Sequence, residues 1–514
     1  MPVSDIRPSV LLCTLNARFS HASLGLRYLL ANLPADLAAQ TAIREFTIHD
    51  APVAVVERLV AASPLIVGFG VYIWNRTETL AIVRLLRAVA PAMRIVLGGP
   101  EITHAEADDE LNRLADVTML GEADLEIAHV LGALLRGESP PQRISCAKAD
   151  PACVVLPYHL YTDDDLAHRL IYVEASRGCP YTCEFCLSSL ENGVRAFPLD
   201  AFLAAMQGLL DRGAKTFKFV DRTFNLSPRT SAAIMEFFLA RMRPELFLHF
   251  EMVPDRLPVV LRELIAKFPP GVLQFEVGIQ SFTPAVGELI SRRMDRARTV
   301  DNLTWLKRQG GVHVHADLII GLPGETLATF AESFDALWWL GPGEIQVGIL
   351  KLLKGTPLVR HREPFAMVFN PAPPYDLLAS RELPFATMQR LKRFAKFFEM
   401  LANSARFPRA LERVIAASGK GPFQALLALS DHLWTALGRD HAIAEGRLYE
   451  AVRDYLISTL GQDPGAVDND LAADFLDARG NPQGLLKGLP DSLRSPVESL
   501  RRAARDAKAV SAPA

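Results

Sequence analysis

The chain has 514 residues, of which 50% are hydrophobic and 22% charged, and its formal net charge is -3. This balance excludes long disordered tracts and any general electrostatic drive toward nucleic acid, and the length exceeds what one core supports, implying about three domains. Six cysteines form no disulfide framework, and the N-terminus lacks a basic segment followed by an apolar core, so a cytoplasmic protein is expected. Even the apolar stretch from Val53 to Val71 is interrupted by Glu57, Arg58 and Pro64, and no membrane span is expected.

Strand-length apolar runs alternate with helical patterns through the first 140 residues. Strands are predicted at Val10 to Leu15, Ile43 to Ile48, Leu65 to Phe69, Arg94 to Leu97 and Val117 to Leu120, with helices at Leu24 to Leu33, Val53 to Ala62, Thr77 to Ala90 and His104 to Leu114. This is the pattern of a five-stranded doubly wound α/β domain, which binds ligands beyond the carboxyl ends of its strands. Those ends carry Asn16 to Gly25, Gly70 to Asn75, Gly98 to Glu101 and Gly121 to Asp124. Gly70, Gly98 and Gly99 would let backbone approach a bulky ligand, whereas the absence of Gly-x-Gly-x-x-Gly after the first strand argues against a dinucleotide. Gly137 to Asp165, rich in Pro, Ser and Asp, reads as a linker in which Cys146 and Cys153 are incidental thiols.

From residue 170 the alternation resumes with a longer period. Six strands, at Ile171 to Ala175, Thr216 to Val220, Leu246 to Met252, Val272 to Ile279, Val312 to Ile320 and Glu344 to Lys351, alternate with helices starting near Leu199, Ser227, Leu257, Pro284, Thr299 and Thr326. Six strand-helix repeats imply a parallel sheet curled into a partial TIM barrel, (β/α)6, with chemistry at the carboxyl strand ends. After the first of these strands stands S-R-G-C-P-Y-T-C-E-F-C-L-S, which places Cys179, Cys183 and Cys186 in one short segment. Three thiols so close converge on one metal centre. A closed zinc site needs four ligands, and the nearest other thiol is Cys153; an iron-sulfur cube on three thiolates leaves one iron open for chemistry.

Beyond the barrel, four prolines between Glu363 and Asp376 mark a boundary before an all-helical remainder. Phe385, Met388, Leu391, Phe394, Phe398 and Leu401 keep helical spacing and are expected in the core, with Lys392, Arg393 and Lys396 on a solvated face. The segment from Ala503 to Ala514 is expected to fray. The boundaries are thus 1–140, a linker at 141–169, 170–360 and 361–514.

Cys-x-x-x-Cys-x-x-Cys, with Phe185 before the last Cys, Arg-Gly before the first and Pro180 after it, resembles the cluster loop of the radical S-adenosylmethionine (SAM) enzymes. The resemblance implies a [4Fe-4S] cluster on Cys179, Cys183 and Cys186 whose open iron chelates SAM and whose electron cleaves it to a 5'-deoxyadenosyl radical. It also implies SAM contacts from Phe185, from Asp221, Arg222 and Thr223 after the second strand, and from Glu251 after the third. In F-E-V-G-I-Q-S the candidates are Gln280 and Ser281, with Glu276 behind them, and in D-L-I-I-G-L-P-G-E-T the candidate is Gly321. Glu325 and Thr326 serve equally well as caps of the next helix.

The first domain, through L-N-A-R-F-S-H-A-S-L-G-L-R-Y-L, V-L-G-G-P-E and L-G-E-A-D, resembles the cobalamin-binding domain of the cobalamin-dependent branch of that superfamily. Cobalamin contacts are accordingly expected at Asn16, Ser23, Leu24, Gly25, Gly70, Tyr72, Trp74, Gly98, Gly99, Pro100, Glu101, Gly121 and Glu122. Asp-x-His-x-x-Gly is absent, and His21 is expected to pack its loop rather than ligate cobalt. The C-terminal part resembles a domain of uncharacterised cobalamin-type radical enzymes. Together these imply methyl transfer to an unactivated carbon of a small-molecule or peptide substrate, with flavodoxin or ferredoxin as electron donor. A rearrangement, oxidation or cyclisation without methyl transfer is the alternative, and a non-enzymatic iron-sulfur redox protein or a zinc-binding scaffold are the alternatives of another class.

Overall fold

A computed structural model describes residues 8–191, 193–479 and 491–510. Its first sheet contains β1 (Val10–Asn16), β2 (Thr41–Thr47), β3 (Ile66–Gly70), β4 (Arg94–Gly98), β5 (Val117–Leu120) and β6 (Arg143–Ser145), all parallel, in the order β2-β1-β3-β4-β5-β6. Five strands match the predicted ones within a few residues. The sixth is a correction: it lies in the stretch read as linker, because three residues suffice to add an edge beside β5 and leave no periodic pattern. The rest of that stretch forms short 3-10 turns at Pro151–Cys153 and Tyr158–Leu160 and a capped helix at Asp163–His168. The helix expected over His104 to Leu114 shrinks to Glu110–Leu114, and a separate short helix, Pro100–Thr103, precedes it.

β1 is buried along its whole length because helices cover both faces of this sheet. Leu11, Cys13, Val67, Phe69, Ile95 and Leu97 pack on one side, and Val10, Leu12, Ile66 and Val96 on the other. The order 2-1-3-4-5 reverses direction between β1 and β3, which opens a crevice at their carboxyl ends.

The second sheet joins β7 (Ile171–Val173), β10 (Thr216–Phe219), β11 (Phe247–Met252), β12 (Leu273–Gln280), β13 (Val312–Ile320) and β14 (Glu344–Ile349), parallel and in chain order from one edge to the other. All six predicted strands are present. An antiparallel hairpin, β8 (Ser176–Cys179) and β9 (Gly193–Ala196), flanks the cysteine loop and was not predicted. Gly178 has φ +86°, and a Cβ there would overlap the Gly193 carbonyl, so glycine is required where the hairpin closes.

Helices cover only the outer side of this sheet. Phe217, Phe219, Leu248, Phe250, Phe275, Val277, Val314 and Ala316 face them, and the Phe219 and Phe250 rings meet at a tilt with 4.5 Å between centroids. The same core continues into the C-terminal helices, where Phe334 lies 5.2 Å from Phe398 and 5.7 Å from Phe423.

The C-terminal part departs from the all-helical expectation by a short antiparallel pair, β15 (Val368–Phe369) and β16 (Leu377–Ala379). Met388, Leu391, Phe394, Phe398 and Leu401 are buried as expected, but Phe385, first in its helix, is 57% exposed. The basic face is engaged rather than merely solvated: Lys392 pairs with Asp376 at 2.7 Å, Lys396 with Asp440 at 2.9 Å, and Arg393 lies over the Trp434 ring. A final helix runs through Val510, past the expected fraying point, and residues 511–514 lie outside the described ones.

Candidate functional site

Two cavities meet where the sheets face each other. The first, about 430 Å³, lies at the carboxyl ends of β1, β3, β4 and β5. Gly68, Gly70, Gly98 and Gly99 line it, with Leu24, Gly25 and Tyr72 on one side and Pro100, Gly121 and Glu122 on the other. Gly99 is forced by geometry: its φ is +100°, and a Cβ would come within 2.5 Å of the Val71 carbonyl oxygen. Tyr72 stacks on Trp74 at 4.4 Å, and burial raises the Tyr72 phenol above its ordinary value.

Four expected contacts of this cavity are engaged elsewhere. Asn16 donates to the His21 carbonyl at 2.9 Å and to Glu45 at 3.1 Å. Ser23 accepts from Leu26 N at 3.3 Å as the cap of the helix Leu24–Ala31. Trp74 lies behind Tyr72 and donates to the Leu15 carbonyl at 3.2 Å. Glu101 is buried and accepts from Tyr375 Oη at 2.8 Å, tying the first sheet to the C-terminal part. His21 meets Tyr172 Oη of β7 at 2.5 Å and does not line the cavity.

The far wall comes from the barrel: Glu174, Ser176, Arg177, Ser188 and Arg222. Arg177 bonds Asp124 at 2.9 and 3.1 Å and Glu174 at 2.8 Å, and it lies over the Tyr28 ring. Burial works against its charge, but Glu174 and Asp124 raise its pKa all the same. Glu122 is likewise held below the usual carboxylate range, against burial, by Arg195 and Arg177. No local pattern marks Glu174 or Ser176 for this role, because only the docking of the two sheets brings them there.

The second cavity, about 230 Å³, is lined by Cys179, Cys183 and Cys186 together with Phe185, Arg222, Thr223, Glu251, Glu276, Gln280, Arg292 and Asp317. Its cysteine loop is clamped. The buried carboxylate of Glu184 accepts from Ser291 Oγ at 2.6 Å and contacts His361 Nε2 at 2.9 Å and Arg360, while Glu184 N donates to the Ile290 carbonyl at 3.0 Å. Arg292 reaches Cys183 Sγ at 3.4 Å. Neither Glu184 nor Arg292 carries a sequence signal, since their partners are more than 100 residues away.

Asp317 is pushed up to about 8 by burial and by Glu276 and Glu251, and burial also raises Glu251 and the Cys179 thiol. Gln280 takes φ +69°, a left-handed conformation at the end of β12.

Three expected SAM residues do not line this cavity. Asp221 turns to the junction between β7 and β8, accepting from Ala175 N at 2.9 Å and Ser176 Oγ at 2.6 Å, and burial raises it to about 7. Ser281 accepts from Thr283 N at 3.2 Å and lies 3.4 Å from Ser333 Oγ. Gly321 sits beneath Leu377, into which a Cβ would run, so its freedom serves packing of the C-terminal part. Cys146, half-buried and pushed up to about 11 by burial, and the exposed Cys153 lie apart from the cysteine loop.

Two family models match the sheets that form these cavities: the B12 binding domain over residues 11–131 and the Radical SAM superfamily over 173–337. The chain carries a B12-binding domain followed by a radical SAM domain. A third model, described as a protein of unknown function (DUF4080), matches 363–506.

The uncharacterized methyltransferase PH0819 of Pyrococcus horikoshii is 24% identical over 51% of this chain and 61% of its own length. The 2-(S-pantetheinyl)-carbapenam-3-carboxylate methyltransferase of Streptantibioticus cattleyicolor is 23% identical over 57% and 48%. The chain thus spans less than two thirds of the length of these curated relatives. Among solved structures, the radical SAM methyltransferase TsrM of Kitasatospora setae, with a tryptophan substrate and a SAM analogue bound, aligns over 97% of this chain and 99% of its own, with 16% identity and TM-score 0.57. The cobalamin-dependent radical enzyme OxsB with aqua-cobalamin aligns over 96% and 84%, with 13% identity and TM-score 0.60. These likenesses establish the fold.

A radical SAM domain implies a [4Fe-4S] cluster and SAM, and a B12-binding domain implies cobalamin. The residues present fit all three. The glycines of the B12-binding domain leave bare backbone along the larger cavity. The radical SAM domain gathers three soft sulfur donors along the smaller cavity, a donor set that suits an iron-sulfur cluster. Asp317 Oδ1 and Gln280 Oε1, both buried without a hydrogen-bond partner among the described residues, supply acceptors for a polar ligand in the smaller cavity.

Proposed function

We propose that this protein is a cobalamin-dependent radical SAM enzyme that methylates an unactivated carbon of a small-molecule or peptide substrate. The observation that carries the reading is Arg222, which lines both cavities, so the thiol-lined and glycine-lined spaces share a wall. When bound, SAM on a reduced [4Fe-4S] cluster supplies a 5'-deoxyadenosyl radical that removes hydrogen from carbon, and cobalamin supplies the methyl group.

The chain's own part is holding, orienting and excluding water. Cys179, Cys183 and Cys186 would hold the cluster, with Glu184 fixing their loop and Arg292 donating toward the Cys183 sulfur. Phe185, Thr223, Glu251 and Gln280 would wall SAM. Gly70, Gly98, Gly99 and Tyr72 would seat cobalamin, and the Arg177 network would seal the seam between the two domains. A flavodoxin or ferredoxin would deliver the electron, in a cytoplasm that keeps the cluster reduced. No helix among the described residues is long and apolar enough to cross a membrane.

Anaerobic purification with hydroxocobalamin, followed by electron paramagnetic resonance and mass spectrometry, tests the reading. The expected result is retained cobalamin, a reduced-cluster signal that SAM alters, and release of 5'-deoxyadenosine. A cluster signal indifferent to SAM, with no cleavage, would instead identify an iron-sulfur redox protein. OxsB, described as a radical enzyme and not as a methyltransferase, shares the fold as fully as TsrM. A radical reaction without methyl transfer is therefore the second reading, and substrate-dependent deoxyadenosine release without methylated product selects it.

A further inference from the structure

Side chains alternate along β13, so His313 and His315 stand on the face that also carries Asp317, the concave side of the barrel. They occupy the amino end of the strand, opposite the cysteine loop, and line neither cavity. On the neighbouring strand Glu344 is the register partner of His315. Its Oε1 lies 3.1 Å from His313 Nε2 and its Oε2 2.7 Å from His315 Nε2, and the three ligand atoms all fall within 4.8 Å of one another.

Two neighbouring features support a bound ligand. A Cβ at residue 343 would come 2.8 Å from the His313 ring, so Gly343 is what lets that ring turn toward the carboxylate. Gln274, on β12, brings its side-chain amide 2.9 Å from the same His315 Nε2 that faces Glu344. One ring nitrogen cannot donate to the carboxylate and accept from the amide at once. Both demands vanish if a cation sits among the groups, with the Gln274 oxygen turned inward as a fourth donor.

Two imidazoles and a carboxylate are a borderline donor set that suits Zn²⁺ and its first-row neighbours, whereas Ca²⁺ and Mg²⁺ require oxygen ligands. The side chains remain 41%, 21% and 29% exposed for His313, His315 and Glu344, leaving room for water on the metal. β14 is the edge of the open barrel, held on its outer side by Asn403, which bonds both backbone groups of Ile345.

We propose that His313, His315 and Glu344 bind one divalent transition-metal ion, Zn²⁺ as the reference case, which clips the edge strand β14 to β13 at the end of the barrel away from the cysteines. The site stands independently of the radical SAM cofactors.

The test uses the full-length chain with its cluster reconstituted, so that the loop thiols are not free to take zinc. After incubation with Zn²⁺ and desalting, elemental analysis should find about one zinc per chain beside the cluster iron. His315→Gln and Glu344→Gln should each weaken zinc binding by about tenfold or more at unchanged iron content, and should abolish the zinc-dependent rise in Tm. Gly343→Ala keeps all three ligands yet crowds His313, and is expected to weaken zinc without removing it. Wild type and a His313→Gln/His315→Gln variant retaining equal zinc would overturn the proposal, as would a wild-type chain that retains none while its cluster is intact.

Discussion

The two parallel sheets differ in how many of their faces are covered, and that difference decides where each keeps its chemistry. The first has helices on both sides, so its central strands are largely apolar and its ligand space is confined to the carboxyl strand ends, where glycine backbone does the work. The second is covered on one side only. Its concave face carries Lys218, Glu251, Glu276, His315 and Asp317, and its ligand space is built from charged side chains. One cavity therefore depends on what is missing, namely side chains, and the other on what is present.

The sharpest way to break this comparison is at the thiols. Replacing Cys179, Cys183 or Cys186 singly by Ala should abolish cluster assembly and SAM cleavage, read as iron, sulfide and 5'-deoxyadenosine, while cobalamin retention on the first sheet persists. The reciprocal change is Gly98→Leu. A Cβ at Gly98 has only the Met119 carbonyl oxygen nearby, at 3.8 Å, so a larger side chain would occupy the cavity. Cobalamin retention should fall by about tenfold or more, with the cluster spectrum unchanged. If either substitution removes both cofactors, the two cavities are not separable as their linings imply.

Glu325 sharpens the contrast through pH. It is fully buried behind the barrel's inner face, accepts from Gly321 N at 3.1 Å, and burial pushes it from 4.5 up to about 8. A raised carboxyl pKa means that the native state holds a proton the unfolded chain releases. The contribution is therefore complete below about pH 4.5 and is lost as pH rises through about 8, at roughly 1.4 kcal/mol per pH unit. Denaturant unfolding should show wild-type stability declining over that window more steeply than Glu325→Gln; equal slopes would mean that Glu325 is ionised in the native state.

The smallest effect is expected at Tyr375→Phe, which removes the hydrogen bond to Glu101. Arg76 and Lys354 remain 3.8 and 3.9 Å from that carboxylate, so a loss of about 1 kcal/mol is expected in thermal unfolding, with both cofactors retained.

Much of this architecture is legible in the chain itself. Periodicity located eleven of the strands, because continuous apolar runs and strict alternation are direct consequences of burial on two faces and on one. The three-residue β6 and the hairpin around the cysteine loop were not legible, being too short to carry a period. Among the site residues, Cys179, Cys183, Cys186, Gly98 and Gly99 declare themselves by type and spacing. Asp221, Ser281 and Glu101 stand at the predicted strand ends, yet each turns to a partner supplied by another element, Ala175, Ser333 and Tyr375 respectively.

By itself the sequence determined that there are two parallel sheets, which loop carries the thiols, and where the glycines fall, because local spacing and backbone freedom are properties of the chain. Only the tertiary structure decided that Arg177 and Glu174 of one domain wall the cavity of the other, that Glu184 clamps the cysteine loop to residues beyond the barrel, and that His313, His315 and Glu344 converge. The physical reason is that each of these contacts joins residues from separate strands or domains, and no one-dimensional pattern records which surfaces close on each other when apolar faces are buried.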